Sequence, residues 1–337
     1  MKAFILAAGL GTRLSPYTNI LAKPAIPFLN IPLFYYSLAL LKAAKSFALE
    51  ECIINSHYKP EQILKLAKEY TSVKTTLSFE KEKPLGSGGG LWFARQYLQS
   101  EENFFILNGD EVILPNRLSL LDDMLEQHKS SGAMATLLVK RDPRVGSQFG
   151  GVWANPLKEV FGFGKVSPSK LSSPACLESS LEGLHYVGVM LMNKRAFQYF
   201  PEGESNILYD AVMTAHLKGE KIEVFIDDCD WHETGNIKDY LKSTHEVLRA
   251  YSQNSNDAFL QFLFCDFAKD SKLKLDANNS NLVFADSSAM ISKKAKLNGF
   301  VVLGAKVEVP DHCELNNVVV NSNVNLKAKT YRDDLIL

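Results

Sequence analysis

Segments patterned as strands and segments patterned as helices alternate through most of this chain, and that alternation restricts its folding more than any other feature. AFILAA, from Ala3, is a short apolar run of buried-strand type. IPLFYYSLALLKAAK, from Ile31, carries helical spacing. ECIINSH is a strand, PEQILKLAKEY a helix, VKTTLSFE a strand, GGGLWFARQYL a helix and NFFILNGD a strand. A βαβα order predicts a parallel sheet with helices on both faces, and such sheets bind ligands at the carboxyl ends of their strands.

Near residue 250 the pattern changes. YSQNSND is a polar break, DAFLQFLFCDFAKD reads as a short helix, and DANNSNL is again rich in turn residues. Beyond them Ile291, Leu297, Leu303, Val309 and Leu315 recur every six residues, as do Ala289, Ala295, Val301, Val307, Cys313 and Val319. Six is the period of neither a helix nor a flat strand. It is the repeat of a hexapeptide β-helix, in which each side of a triangular coil points one apolar residue inward. A pair of β-hairpins in chance register is the alternative.

Composition narrows the function. The chain has 337 residues, 46% hydrophobic and 22% charged, with a formal net charge of -1, so it carries no basic excess for nucleic acid. Five cysteines, Cys52, Cys176, Cys229, Cys265 and Cys313, are scattered without a C-x-x-C pair. Neither a disulfide framework nor a zinc site is expected, and a reducing cytoplasm fits. MKAFILAAGL has one lysine and an apolar run, but it leads into GTRLSP with no small-residue cleavage pattern, so it reads as a core strand and not as a signal peptide. No run reaches a membrane-spanning length.

The first strand stops at Gly9, in LAAGLGTRLSPYTNILAKP. Gly9 and Gly11 let backbone N–H groups approach a ligand, Thr12 adds a hydroxyl, and Arg13 can grip two phosphate oxygens with its planar fork. These groups suit phosphate. A dinucleotide fingerprint is excluded because no third glycine follows, and a Walker loop because G-K-[ST] is missing.

LAAGLGTRLSPYTNILAKPAIPFLNIPL resembles the signature of the sugar-phosphate nucleotidyltransferases, LAAGxGTRLxPxTxxxPKPxxPxxxxP, with Ala22 in place of a proline before Lys23-Pro24. EKEKPLGSGGGLWFA, Glu80 to Ala94, is similar to that family's E-x-x-LGTAGAL segment. Asn108-Gly109-Asp110 matches directly, and WHETGNIKDYL resembles W-x-D-x-G-T-P-x-D-Y-L. The resemblance covers nearly the whole chain and is strongest to the mannose-1-phosphate guanylyltransferase and glucose-1-phosphate nucleotidyltransferase branches.

It implies an α/β fold of Rossmann-like, GT-A type, a mixed sheet with helices on both faces, followed by a short C-terminal left-handed parallel β-helix. Residues 1–250 would form the catalytic domain, 251–280 a linker with a short helix, and 281–330 the hexapeptide coil. The implied reaction joins a nucleoside triphosphate and a sugar 1-phosphate to give a nucleotide-sugar and pyrophosphate, GTP with a mannose-1-phosphate-like sugar ranked first and UTP second. Arg13 and Lys23 would be catalytic. Leu6, Ala8, Gly9, Gly11, Thr12, Glu80, Gly86 and Ser87 would bind nucleotide. An acidic side chain suits the donor edge of guanine, so Glu80 is expected either to accept hydrogen bonds from guanine N1 and N2 or to be a surface carboxylate.

FGGV at Phe149 resembles the family's YGxV element and brings Gly150 to the sugar. Lys165, Glu178 and His185 are the other sugar candidates. Asp110 and Glu233 would hold Mg²⁺, with Asp228 or Asp230 able to stand in for Glu233, whose position is an aspartate in the family. Two other classes compete. A non-catalytic nucleotide-sugar sensor would be expected to have lost Arg13, Lys23 or Asp110, and an acyltransferase would have to use a tail holding the lone His312. About six hexapeptides suit packing against the catalytic domain or a second subunit, a route to a homo-oligomer.

Overall fold

Lys2–Leu6 forms a strand because its three central residues, Ala3, Phe4 and Ile5, have no exposed surface and are flanked on both sides by parallel strands. The computed structural model describes residues 1–69, 72–167, 181–275 and 281–337. Two units partition the chain. One comprises Met1–Gly9, Leu40–Gly109 and Leu118–Asp230, the other Leu10–Ala39, Asp110–Arg117 and Trp231–Leu337.

The first unit is built on a nine-stranded sheet. Asn103–Asn108, Lys2–Leu6, Glu51–Ser56 and Lys74–Phe79 lie side by side and parallel, as the strand–helix alternation predicts. Beyond them the sheet is mixed. Glu182–Asn193 runs antiparallel to Asn103–Asn108 and to Ala135–Lys140, and Ile222–Ile226 runs parallel to Ala135–Lys140. The expectation of a parallel sheet is corrected there for a topological reason. Gly151–Ala154 and Val160–Gly164 form an antiparallel pair that docks on the start of Glu182–Asn193, so no crossover helix is needed.

The helix Pro60–Glu69 buries Ile63, Leu66 and Ala67, the i, i+3, i+4 stripe of a surface helix. Phe4, Ile53, Phe104, Ile106, Leu137 and Met190 share this unit's core. Burying one such side chain stabilises by roughly 1.5–3 kcal/mol.

In the second unit the helix Ile237–Gln253 starts at Asn236, whose side chain accepts from the Asp239 amide. Its buried stripe is Tyr240, Leu241, Thr244, Val247 and Leu248, and it touches the C-terminal strands, with His245 stacked on Phe300. The sequence DAFLQFLFCDFAKD contains the helix Ala258–Phe267, capped by Asp257. In the C-terminal strands Lys296 faces Glu314 and Met290 faces Glu308, each 18 residues on and parallel, a register of three hexapeptides.

Leu303, Val301, Val307, Val309, Cys313 and Leu315 share one apolar core there. Two residues depart from the six-residue series. Ile291 is exposed. Val318 and Val320 join this cluster where Val319, itself fully buried, is expected, because Gly299 and Phe300 face the single residue Asn317 and shift the register by one. A one-residue shift turns every later side chain to the opposite face.

Candidate active site

The loop after the first strand folds into three single turns, Thr12–Leu14, Tyr17–Asn19 and Lys23–Ala25, pinned by the buried side chains of Leu14 and Thr18. Gly11 has φ +62°, and a Cβ on it would lie 2.9 Å from Thr18 Cγ2 and 3.0 Å from Lys23 Cβ. Only glycine fits that crowded left-handed position. The loop thereby presents two cations differently. The Arg13 side chain is 72% exposed, whereas that of Lys23 is only 11% exposed.

Lys23 Nζ donates to Asp110 Oδ2 at 2.6 Å. Burial works against its charge, but Asp110, Glu111 and Glu233 more than offset this and hold its pKa above the ordinary lysine value. Arg13 Nη2 stands 3.8 Å from Glu233 Oε1. A Cβ on Gly235 would come within 2.7 Å of Arg13 Nη2 and collide with Glu233 Oε1, so the glycine of WHETG makes room for that pair. Thr234 Oγ1 donates to the Asp110 carbonyl at 3.0 Å, and Trp231 Nε1 to Glu111 Oε2 at 2.8 Å.

Both catalytic candidates and both metal candidates therefore sit in one unit. Among the described residues no group of three or more His, Cys, Asp or Glu side chains gathers as a metal cluster. Asp110 and Glu233 nonetheless fit a hard divalent cation, which takes one or two carboxylates and fills its shell with water and phosphate oxygens. Asp228 and Asp230 are exposed beyond the strand Ile222–Ile226.

Sequence reasoning overlooked Glu111. Burial, then the charge of Asp110, pushes its carboxyl above the ordinary glutamate range. The available signal was an acid beside Asp110 leading into the apolar strand Val112–Leu114.

The other nucleotide candidates lie in the first unit. Leu6 pairs with Asn55 and Asn108 at the strands' carboxyl ends, Ala8 is buried, and a Cβ on Gly9 would meet open space. Asn55, also unforeseen, accepts from the Ala7 amide at 2.7 Å and donates to Glu80 Oε1 at 2.7 Å. Glu80 is 2% exposed, and its other oxygen accepts from the Leu85 amide at 2.7 Å. Each carboxylate oxygen expected to face guanine thus already holds a protein donor.

The glycine run meets protein. A Cβ on Gly86 would lie 2.5 Å from the Ser205 carbonyl oxygen, and one on Gly90 2.5 Å from Glu80 Oε1. Ser87 Oγ accepts from the Ile207 amide.

Of the sugar candidates, His185 packs against Phe149 with ring centroids 4.7 Å apart, so the FGGV and HYVGV segments come together. Burial pushes the His185 imidazole down to about 4. A Cβ on Gly150 would lie 3.6 Å from Tyr209 Oη, and Lys165 is exposed just past the strand Val160–Gly164. Glu178 lies outside the described residues, as does Cys176. The remaining cysteines are free.

A family model described as Nucleotidyl transferase matches residues 2–250. The chain is 39% identical over 147 residues to mannose-1-phosphate guanylyltransferase 1 of Arabidopsis thaliana, covering 42% of this chain and 38% of that protein. Against mannose-1-phosphate guanyltransferase of Schizosaccharomyces pombe it is 30% identical over 249 residues, 72% of this chain and 63% of that protein. The chain thus spans less than two thirds of the length of these curated relatives. The crystal structure of HddC from Yersinia pseudotuberculosis complexed with GMP-PN superposes with a TM-score of 0.55 at 19% identity, covering 73% of this chain and 99% of that one. At that identity the likeness shows the fold.

Proposed function

The chain belongs to the nucleotidyl transferase family, and on that footing we propose that it joins a nucleoside triphosphate to a sugar 1-phosphate with release of pyrophosphate. The observation that carries this reading is the grouping of Arg13 and Lys23 with Asp110 and Glu233 in one unit, Lys23 Nζ lying 2.6 Å from Asp110. A sugar-phosphate oxygen attacks the α-phosphorus and pyrophosphate leaves, so catalysis is alignment and neutralisation of crowded negative charge.

Arg13, exposed and forked, holds the triphosphate and stabilises the departing pyrophosphate. Lys23, a compact charge on a buried stem, moves from Asp110 toward the α-phosphate and the incoming sugar phosphate. Asp110 and Glu233 hold a divalent cation, Mg²⁺ in this proposal, which would supply further neutralisation of phosphate charge. GTP with mannose 1-phosphate is the first choice of substrates, in line with the names of the relatives, and UTP the second.

The division at residues 250 and 280, a left-handed hexapeptide coil, self-association through it and a cytoplasmic setting belong to the same proposal. Among the described residues no helix is long and apolar enough to cross a membrane. Pyrophosphate release is to be measured across four nucleoside triphosphates and a panel of sugar 1-phosphates. The highest rate is expected with GTP and mannose 1-phosphate, and no release with any pair would overturn the reading.

A further inference from the structure

Tyr17 lies in the middle turn of the loop that carries both cations, and its hydroxyl donates to Asp334 Oδ1 at 2.6 Å. Asp334 belongs to the last strand, Thr330–Ile336, 317 residues further along the chain. The aspartate is itself fixed, because the same Oδ1 accepts from the Leu335 amide at 2.9 Å. Within the loop the Tyr17 carbonyl accepts from the amides of Ile20 and Leu21, which lead into the Lys23 turn. On the other side Ser15 closes the Arg13 turn by donating to the Thr12 carbonyl. A second tie runs from Asn30 Nδ2 to Ser271 Oγ and to the Leu303 carbonyl, both in C-terminal strands.

We propose that the C-terminal strands brace the phosphate-handling loop, and that Tyr17 and Asp334 are positioning residues which act through Arg13 and Lys23. A phenol–carboxylate hydrogen bond is charge-assisted and shorter than a neutral one, which suits it to hold a loop carrying two cations. Those cations have to be placed before the phosphates meet, because a small misplacement of a charged group costs rate more than binding. The five-stranded C-terminal sheet is on this view part of the catalytic unit. The proposal rests on the nucleotidyl-transfer reading for its kinetic consequence but not for its structural one.

The test uses the full chain and the variants Tyr17→Phe, Asp334→Ala, Asp334→Asn and the double variant Tyr17→Phe/Asp334→Ala. Phenylalanine keeps the ring, and asparagine keeps an oxygen that can accept from Tyr17. Trypsin cuts after Arg13 but not at Lys23, which precedes Pro24. Cleavage after Arg13 under native conditions is expected to be about tenfold faster in Tyr17→Phe, Asp334→Ala and the double variant, and between these and the parent in Asp334→Asn, whose oxygen still accepts from Tyr17 without the charge.

With GTP and mannose 1-phosphate, kcat is expected to fall about tenfold in the first two variants and no further in the double variant, with a small change in KM. Parent-like cleavage and kcat in Tyr17→Phe would overturn the proposal, as would losses in the double variant that equal the product of the single losses. If the parent turns over no substrate pair, the functional reading falls, and the cleavage rates still decide on the brace.

Discussion

The Lys23 ammonium rests 2.6 Å from Asp110, so the cation assigned to the phosphates is stored on the carboxylate assigned to the metal. The carboxylate helps to hold the lysine charged, and in the proposed reaction Lys23 would leave it for the phosphates. Asp110→Asn keeps the size of the side chain but removes its charge. Turnover in this variant is expected to fall at least about a hundredfold in Mg²⁺, with a far smaller effect on the unfolding midpoint. Parent-like kcat would remove Asp110 from the site.

Lys23→Ala separates two kinds of contact. A lysine that moves onto the two phosphates as they approach tightens its grip in the transition state, so its loss should appear in kcat. We expect kcat to fall about a hundredfold or more while the dissociation constant for the triphosphate rises less than about fivefold. Equal losses in the two quantities would mean that Lys23 serves uniform binding. Stopped-flow binding with single-turnover measurement of pyrophosphate resolves them.

What the sequence shows and hides follows from how far apart the partners lie. Arg13, Lys23 and Asp110 are legible because each lies in a short segment that resembles a family signature. Asn55, Glu111 and Tyr17 are not, since their meaning comes from Ala7 and Glu80, from Trp231 and from Asp334, up to 317 residues away. The glycine run at 86–90 announces a close approach but not its partners, which are the chain around Ser205 for Gly86, Gly88 and Gly89 and the side chains of Glu80 and Asn55 for Gly90. In the C-terminal strands the six-residue period is plain until the bulge at Gly299 and Phe300, which swaps Val318 and Val320 for Val319. A bulge is set by backbone geometry, and the apolar series carries no mark of it.

Glu80→Gln tests whether the carboxylate reads the base or holds the loop. Its oxygens accept from Asn55 Nδ2 and from the Leu85 amide, and Asn55 Oδ1 is already occupied by the Ala7 amide. An amide at position 80 must set its NH₂ against one of two donors, at a cost of roughly 1–3 kcal/mol in a buried site. KM is therefore expected to rise for GTP and UTP alike, with their ratio unchanged in a competition at equal concentrations. A selective loss of GTP would show instead that guanine shares those oxygens.

The last expectation concerns acid. His128 is 2% exposed, with Nδ1 2.8 Å from Thr136 Oγ1 and Nε2 3.0 Å from Asn103 Oδ1, a set that suits the neutral ring. Burial first, then the charge of Arg195, brings its pKa down to about 4, and His185 is brought to about the same value. In the unfolded chain both rings take up a proton near pH 6.5, while in the folded protein they stay neutral. The unfolded state therefore binds more protons between pH 6.5 and 4, and stability falls as pH drops through that window. It is fully present above pH 6.5, and the two histidines remove no more below about pH 4. The loss from His128 alone is on the order of 2 kcal/mol between pH 6.5 and 5. His128→Gln is expected to be less stable at pH 7, because its partners lose their ring. Its slope of unfolding free energy against pH should be about half that of the parent, with His185 supplying the remainder. Urea melts at pH 7, 6 and 5 give both slopes, and an unchanged slope in the variant would show that His128 takes up its proton in the folded state as readily as in the unfolded one.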